Sequence, residues 1–200
     1  MNIIFDLGGV LMMHNMPGCI QKFTRLMGEK NMQQVLGLNP NGEGSADSLM
    51  EKFECGLVSE QEFISTLLPA SRPGTTESDI IDAWVTMHAG IPDEYWGFLK
   101  NLKNEGHHLL VLSNNNAIHY RDILEHYDMS RFDRIFLSHE IHSKKPERKI
   151  FEAVAQYLEE QGWQGNRTIY IDDIAENRQV GETFGWETAE NIHFFKEKFA

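Results

Sequence analysis

Four short apolar runs in this sequence each end in a side chain that can bind a cation or a phosphate. Asp6, Ser113 and Ser138 follow the first three runs, and the pair Asp172 and Asp173 follows the fourth. Because ligands of an open α/β sheet bind at the carboxyl ends of its strands, we expect these residues around one crevice. Adjacent carboxylates after a buried strand are costly to ionise together, and a third at Asp6 raises that cost. Mg²⁺ would offset it, since it prefers hard oxygen ligands and bridges to phosphate, although Asp173 could instead cap a helix.

The same apolar runs define the expected strands. They are continuously hydrophobic rather than alternating, which is typical of parallel strands covered on both faces. Helical periodicity separates the later strands, and glycine follows two of the helices as a stop signal. We therefore predict an α/β fold with a Rossmann-like, doubly wound parallel sheet. The predicted strands are 2–5, 108–112, 134–137 and 167–171, and the predicted helices are 92–104, 117–127, 147–158 and 177–184.

The stretch between the first and second strands has a different pattern. It contains no convincing strand, and apolar residues recur at helical spacing, as at Cys19, Phe23 and Met27. Ser59 and Glu62 match a capping box, which marks the start of a helix. We predict a helical domain inserted into the sheet domain. The predicted boundaries are a sheet core of 1–15 and 89–200 and a helical insert of 16–88.

The charge balance limits the partners of this protein. The chain has 30 acidic and 18 basic residues and a formal net charge of −12. Such a chain repels nucleic acid and anionic lipid over most of its surface, so we expect neither as a partner. A small phosphorylated metabolite is compatible if a metal ion or a local lysine offsets the field. Cys19 and Cys55 lack metal-ligand spacing and indicate reduced thiols, and no basic stretch precedes a long apolar run at the N-terminus, which favours a cytoplasmic protein.

Four segments, in order, resemble the motifs of the haloacid dehalogenase superfamily. They are Phe-Asp-Leu-Gly-Gly-Val-Leu at 5–11, Leu-Ser-Asn at 112–114, Lys145-Pro146 before a helix, and Tyr-Ile-Asp-Asp at 170–173 with Asn177 four residues further on. Any one motif is weak, but four in order, each at a predicted strand end or helix start, form a strong signal. The resemblance covers essentially the whole chain. It implies a phosphate-monoester hydrolase whose helical insert is a type-one cap that closes over the crevice and selects the substrate.

The resemblance also implies roles for individual residues. Asp6 would attack phosphorus and become an aspartyl-phosphate, and Lys145 would neutralise charge on both groups. Mg²⁺ would offset the repulsion between the anionic nucleophile and the anionic phosphate. The implied metal ligands are Asp6, the backbone carbonyl of Gly8, Asp173, and Asp172 either directly or through water. The implied phosphate-binding groups are Ser113, the backbone of Asn114, Lys145 and His119.

One position departs from the usual phosphatase pattern. Most phosphatases of this family carry a second Asp two residues after the nucleophile, which protonates the leaving group and later activates water, and here that position is Gly8. General acid–base catalysis is typically worth about 10²–10⁴ in rate, so a slower phosphatase is expected. A subgroup similar to sugar-1-phosphate phosphatases has an Asp-Leu-Gly first motif and a Ser-Asn-x-Asn second motif followed by His. Residues 113–116 and His119 match it, which is why His119 is included among the phosphate-binding residues.

Two other functions stay open from the sequence. The 2-haloacid dehalogenases also lack the second Asp, but they need no metal and their fourth motif lacks an acidic pair such as Asp172-Asp173. A non-catalytic ligand-binding or regulatory protein could keep the fold without turnover. If the chain is an enzyme, His14, His119 or a cap residue are the candidates to replace the missing acid.

Overall fold

The computed structural model describes residues 1–40 and 47–199 and divides the chain into two compact units. Of the predicted helical insert, residues 41–46 lie outside the described residues. None of the helices formed by the described residues is long and apolar enough to cross a membrane. The core unit is Met1–Met13, Gly90–Asn114 and Asp128–Ala200, and the helical unit is His14–Ala89 and Asn115–Tyr127.

The core unit is built on a five-stranded parallel sheet in the order β5-β4-β1-β6-β7, and a separate two-stranded sheet pairs β2 with β3. All four predicted strands are present, so the predicted α/β parallel sheet is confirmed; β7 at the edge is additional. The strands are β1 (Asn2–Phe5), β2 (Met13–His14), β3 (His88–Gly90), β4 (His108–Ser113), β5 (Arg134–Leu137), β6 (Thr168–Ile171) and β7 (Glu187–Ala189).

Helices account for most of the remaining described chain. The first helix contains a non-helical residue at Gly28, whose φ is 77°, and a π-helical turn follows it at Met32–Leu36. Ser59 and Glu62 form the capping box that the sequence predicts. The α-helices are α1 (Met16–Asn31), α2 (Leu49–Glu54), α3 (Glu60–Leu67), α4 (Glu77–Val85), α5 (Asp93–Asn104), α6 (Ala117–His126), α7 (Ser138–Ile141), α8 (Arg148–Glu160), α9 (Ala175–Thr183) and α10 (Ile192–Phe199).

The central strand β1 explains why the sheet forms in this register. Ile3, Ile4 and Phe5 are all fully buried, because helices of a doubly wound fold cover both faces of the sheet. Phe5 pairs with Val111 of β4 on one side and with Ile171 of β6 on the other. This register brings the ends of three strands to the same edge, so the residues that follow them become neighbours.

The helical unit has its own aromatic core. The rings of Phe53 and Phe63 stack with centroids 4.2 Å apart, and Trp84 packs on Phe63 at 5.1 Å. Cys19 is fully buried in the same cluster, which agrees with a packing role for this thiol.

Residues 115–127 belong to the helical unit, whereas the sequence-based boundaries placed them in the sheet core. The reason is packing that is distant in sequence. Ile118 is buried in the core of the helical unit, and the indole Nε1 of Trp84 donates to Asn116 Oδ1 at 3.1 Å. Arg121 makes two hydrogen bonds to the Glu60 carboxylate, at 2.7 and 2.8 Å. The helical unit therefore includes α6, which lies outside the predicted insert in sequence.

Candidate active site

The candidate site lies within the core unit, at the carboxyl ends of β1 and β6. Asp6 follows β1, and its backbone N–H donates to the carbonyl of Ile171 at 2.8 Å. Asp172 and Asp173 follow β6 directly. One carboxylate oxygen from each of the three acids lies within 4.8 Å of the other two. The structure thus brings together the three carboxylates that the strand ends predicted.

Lys145 provides the positive charge within this acidic group. Its Nζ lies 2.8 Å from Asp6 Oδ2 and 2.7 Å from Asp172 Oδ2, and its side chain is 2% exposed. The resemblance, rather than the strand pattern, singled out Lys145 over its neighbour Lys144. The buried position between two carboxylates agrees with that choice.

Burial and charge shift the pKa values of these groups in different directions. Burial is the largest effect on Asp6; with the charges of Asp172 and Asp173 it outweighs Lys145 and raises the pKa of Asp6 to about 7. Burial also acts to raise the pKa of Asp172, but Lys145 and hydrogen bonds from Lys145, Tyr170 and Asn177 lower it overall. For Lys145, burial acts to lower the pKa, and the facing Asp6 and Asp172 carboxylates raise it overall. The group as a whole holds more negative charge than one lysine balances.

Asn114 fixes the segment that carries Lys145. Its side-chain Nδ2 donates to the Lys145 carbonyl at 3.1 Å, and its Oδ1 accepts from the Lys145 backbone N–H at 2.7 Å. The family resemblance implies a phosphate-binding role for the Asn114 backbone, and it did not predict these hydrogen bonds of the Asn114 side chain. Ser113 is buried at the end of β4, and Ser138 is buried at the start of α7.

Asp172 has an extensive set of donors. Its Oδ1 accepts from the backbone N–H of Ile174 at 2.8 Å, and Asn177 Nδ2 reaches both oxygens at 3.0 and 3.1 Å. The hydroxyl of Tyr170 donates to Oδ2. Arg178 Nη1 donates to the backbone carbonyls of Asp172 and Asp173 at 2.7 and 2.9 Å. The sequence did not predict the contacts of Tyr170 and Arg178 with Asp172. Tyr170 was counted only as an apolar residue of the buried strand β6.

The loop after β1 passes close to Asp173. Leu7 carbonyl accepts from Met12 N–H at 2.7 Å, which closes a tight turn. Gly9 has a φ of 75°, and a Cβ at this position would lie 2.4 Å from Asp173 Oδ2. Glycine is therefore favoured here by its backbone conformation, and any side chain at this position would displace the Asp173 carboxylate. The same loop carries the Gly8 carbonyl that the resemblance implies as a metal ligand.

The donor set of this site fits Mg²⁺. Carboxylate oxygens of Asp6, Asp172 and Asp173 converge, and hard oxygen donors are what Mg²⁺ prefers. Asp173 is exposed, so a cation and its water ligands can reach it from solvent. One lysine against three carboxylates leaves an excess of negative charge that a divalent cation would balance.

His119, for which the resemblance implies a phosphate-binding role, is packed within the helical unit in the structure. This residue belongs to the helical unit and is 4% exposed. Its Nε2 lies 2.9 Å from the Trp84 carbonyl, which is an acceptor, so Nε2 carries the proton and donates it. Its Nδ1 lies 3.1 Å from Asn116 Nδ2 and accepts from it. Both ring nitrogens are therefore taken, and the ring stacks on Trp84 with centroids 5.0 Å apart. The packing supports a structural role for neutral His119.

Because His119 is buried in its neutral form, we expect acid to destabilise the helical unit. Burial, with a smaller contribution from the charge of His88, holds the pKa of His119 well below its usual value of 6.5. The unfolded chain then binds the proton that the folded state excludes, so stability is lost as pH falls below about 6.5, with a slope of at most about 1.4 kcal/mol per pH unit. Urea unfolding of wild type and His119→Gln between pH 7.5 and 5.5 tests this. The free energy of unfolding of the variant should be lower than that of wild type at pH 7.5, but it should fall less as the pH is lowered. His126→Gln, an exposed change on the same helix, should keep the wild-type slope, and equal slopes in all three proteins would contradict the assignment.

Comparison with known proteins agrees with the geometry of the core unit. The family model of haloacid dehalogenase-like hydrolases matches residues 1–185. A D-ribitol-5-phosphate phosphatase from Bacteroides thetaiotaomicron is 23% identical over 203 residues, which cover 94% of this chain and 89% of that protein. A solved haloacid dehalogenase family enzyme from Bacteroides thetaiotaomicron, in complex with magnesium and inorganic phosphate, has a TM-score of 0.80 at 28% identity, covering 94% of this chain and 92% of that one. A predicted hydrolase of the same family from Porphyromonas gingivalis has a TM-score of 0.75 at 26% identity, covering 94% and 89%.

Proposed function

The chain belongs to the haloacid dehalogenase-like hydrolase family, and from this premise we propose that it is a Mg²⁺-dependent phosphatase acting through an aspartyl-phosphate on Asp6. The observation that carries the proposal is the convergence of Asp6, Asp172 and Asp173 beside the buried Lys145. A hydrolase that attacks an anionic phosphate with an anionic carboxylate needs positive charge beside the two groups. Lys145 and a cation bound by the carboxylates would supply it.

The proposed reaction has two steps. In the first, an oxygen of Asp6 bonds to phosphorus as the bond from phosphorus to the substrate's leaving oxygen breaks, and that oxygen takes up a proton from solvent to leave as the alcohol. In the second, water attacks the phosphorus of the aspartyl-phosphate and the bond from phosphorus to the Asp6 oxygen breaks. The proton that the water loses passes to solvent, inorganic phosphate is released and the Asp6 carboxylate is restored. When bound, Mg²⁺ supplies charge that offsets repulsion between Asp6 and the phosphate.

Residues of this chain position the reactants around that exchange. Lys145, 2.8 Å from Asp6 Oδ2, orients the nucleophile and balances charge on the phosphate. Ser113 and the Asn114 backbone hold the phosphoryl oxygens in this proposal. Asp6, Asp173 and the Gly8 carbonyl would bind the Mg²⁺ ion. Since phosphoryl transfer is catalysed mainly by positioning and electrostatics, these groups support turnover even without the second Asp.

A phosphorylated carbohydrate or polyol is the proposed substrate class. The name of the Bacteroides phosphatase, whose sequence this chain resembles, gives a phosphorylated polyol as its substrate. The test begins with an aryl phosphate, whose good leaving group bypasses the missing acid, and then extends to a panel of sugar and polyol phosphates. We expect phosphate release with Mg²⁺ present. Failure to release phosphate from every ester would contradict the proposed function and favour a non-catalytic binding protein.

Gly8 should make the enzyme sensitive to the leaving group. A sugar 1-phosphate releases an anomeric hydroxyl, which is more acidic than an ordinary alcohol, so we expect 1-phosphates to be hydrolysed faster than matched 6-phosphates. Gly8→Asp should restore an acid and raise the rate on poor leaving groups by at most about 10²–10⁴, with a smaller gain on aryl esters. Steady-state rates on both ester classes give the ratio that checks this.

Gly97→Asp is the control for Gly8→Asp, because it adds the same charge on an exposed face of α5. It should leave the ratio of rates unchanged. If Gly8→Asp also leaves that ratio unchanged, and wild type does not prefer 1-phosphates, then another residue supplies the proton and His14 is the next to test.

A further inference from the structure

Tyr170 is a buried residue of the core unit that the reaction above does not use. It lies on β6, two residues before Asp172, and it is 0% exposed. Side chains two residues apart on a strand point to the same side, which directs the Tyr170 hydroxyl along the strand to Asp172. The hydroxyl donates a hydrogen bond to Asp172 Oδ2. Because Tyr170 is fully buried, it does not touch substrate, and the contact of its hydroxyl with the acidic group is the one to Asp172.

Both carboxylate oxygens of Asp172 already accept hydrogen bonds from other groups of the protein. Oδ1 accepts from Ile174 N–H and Asn177 Nδ2, and Oδ2 accepts from Lys145 Nζ and the Tyr170 hydroxyl. An ionised carboxylate offers about four lone-pair positions, so these four donors fill it. A direct bond from Asp172 to a cation would displace one of them. Asp173 is exposed and has no such set of side-chain donors among the described residues, which makes it the better ligand of the pair.

We propose that Tyr170 is a positioning residue: its hydroxyl fixes the Asp172 carboxylate, so that Asp172 holds Lys145 against Asp6 instead of bonding directly to the metal. This inference rests on the proposed phosphatase function and deepens it. The cation would then be held by Asp6, Asp173 and the Gly8 carbonyl. Asp172 acts on the reaction through the ammonium of Lys145, which lies 2.7 Å from Asp172 and 2.8 Å from Asp6.

The ring of Tyr170 is itself held in one orientation. Phe151 packs edge-on to it at 5.7 Å with an interplanar angle of 90°, and Trp186 packs on it at 6.1 Å. Gly181 of α9 faces the ring, and a Cβ at this position would lie 2.8 Å from Tyr170 Cδ1. A larger residue at 181 would push the ring. The direction of the Tyr170 hydroxyl thus depends on a residue that has no contact with the reacting groups.

Tyr170→Phe removes the hydroxyl and keeps the packing of the ring. We expect kcat on an aryl phosphate to fall about tenfold, since a hydrogen bond to a charged group is lost, while KM changes less than about twofold. Tyr157→Phe is the matched control, because that hydroxyl makes a long 3.4 Å bond to the Asp133 carbonyl in the same unit. Wild-type kcat in Tyr170→Phe, with the variant folded by circular dichroism, would overturn the proposal.

A double-mutant cycle with Gly181 separates positioning from general stability. Gly181→Ala should lower kcat several-fold in wild type although alanine favours helices more than glycine, and it should have little further effect in Tyr170→Phe. Gly97→Ala on α5, where an added Cβ meets nothing within 4 Å, is the control and should keep full activity. Additive losses from Gly181→Ala and Tyr170→Phe would mean that the two residues act separately, against the proposal.

Mg²⁺ binding measured by calorimetry tests the metal part of the proposal without any turnover. We expect Asp173→Asn to weaken Mg²⁺ binding at least about tenfold more than Asp172→Asn, and Tyr170→Phe to change it less than about threefold. The reverse order for the two Asp variants would identify Asp172 as a direct ligand and overturn the proposal. These titrations remain decisive if wild type hydrolyses no phosphate ester, a result that would count against the proposed function alone.

Discussion

Asp6→Asn should lower phosphatase turnover by at least about 10³-fold while the protein stays folded. The amide is nearly isosteric with the carboxylate and can still accept a hydrogen bond from Lys145, but it is a far weaker nucleophile. Stability should not suffer. Because burial raises the pKa of Asp6 from 3.8 to about 7, the native state loses stability as pH rises from about 3.8 to about 7, and the full cost of the ionised side chain is present at pH 8. In metal-free buffer at pH 8, the melting temperature of the variant should therefore equal or exceed that of wild type.

The measurement is single-turnover hydrolysis of an aryl phosphate by protein free of contaminating phosphatase. Asp93→Asn, an exposed change in the first turn of α5, is the control for loss of one carboxylate and should keep wild-type rates. Trapping of a covalent phosphate on wild type but not on Asp6→Asn would support the intermediate directly. Wild-type activity in Asp6→Asn would falsify its role as nucleophile.

Removal of divalent cations should lower turnover by at least about a hundredfold, because a metal ion typically supplies several kcal/mol of charge stabilisation in such a reaction. The site holds three carboxylates, those of Asp6, Asp172 and Asp173, and Lys145 faces them. One positive charge does not balance three negative charges, so without a metal ion the excess negative charge would repel the phosphate. Excess chelator should abolish activity, and added Mg²⁺ should restore it.

Asp173→Asn provides the internal comparison for the chelation experiment. It should raise the Mg²⁺ concentration needed for half-maximal rate, whereas Asp93→Asn should leave that concentration unchanged. Full activity in chelator would instead favour the dehalogenase alternative, and halide release from a 2-haloacid under those conditions would establish it.

The strand-end residues are the part of the site that sequence predicts best. Asp6, Asp172 and Asp173 each follow a run of buried residues, and parallel pairing requires such run ends to meet at one edge. Lys145 follows no strand, so only the motif resemblance identified it. Its position depends on Asn114, whose side chain binds the Lys145 backbone across 31 residues, a contact that no local pattern encodes.

The contacts of side chains that suit both an apolar and a polar environment were the hardest to predict from the sequence. Tyr170 fits a buried strand by its ring and a polar network by its hydroxyl, and hydrophobic patterning reports only the first. His119 matches a phosphatase subgroup by position, but its two nitrogens are engaged by Trp84 and Asn116. The placement of α6 is a related case: contacts group it with the helical unit, and chain continuity does not reveal which hydrophobic core a helix joins.

The central place of β1 in the sheet has a consequence during protein synthesis. β1 is made before both of its partners, because Asn2 pairs with His108 and with Thr168, which follow it by more than 100 and more than 160 residues. At about 5–20 residues per second, Ile3, Ile4 and Phe5 wait on the order of ten seconds or more before β6 can cover them. A nascent chain stalled before Thr168 should thus expose this apolar segment to chaperones, and Asp6 gains its acidic neighbours only once Asp172 and Asp173 have been translated.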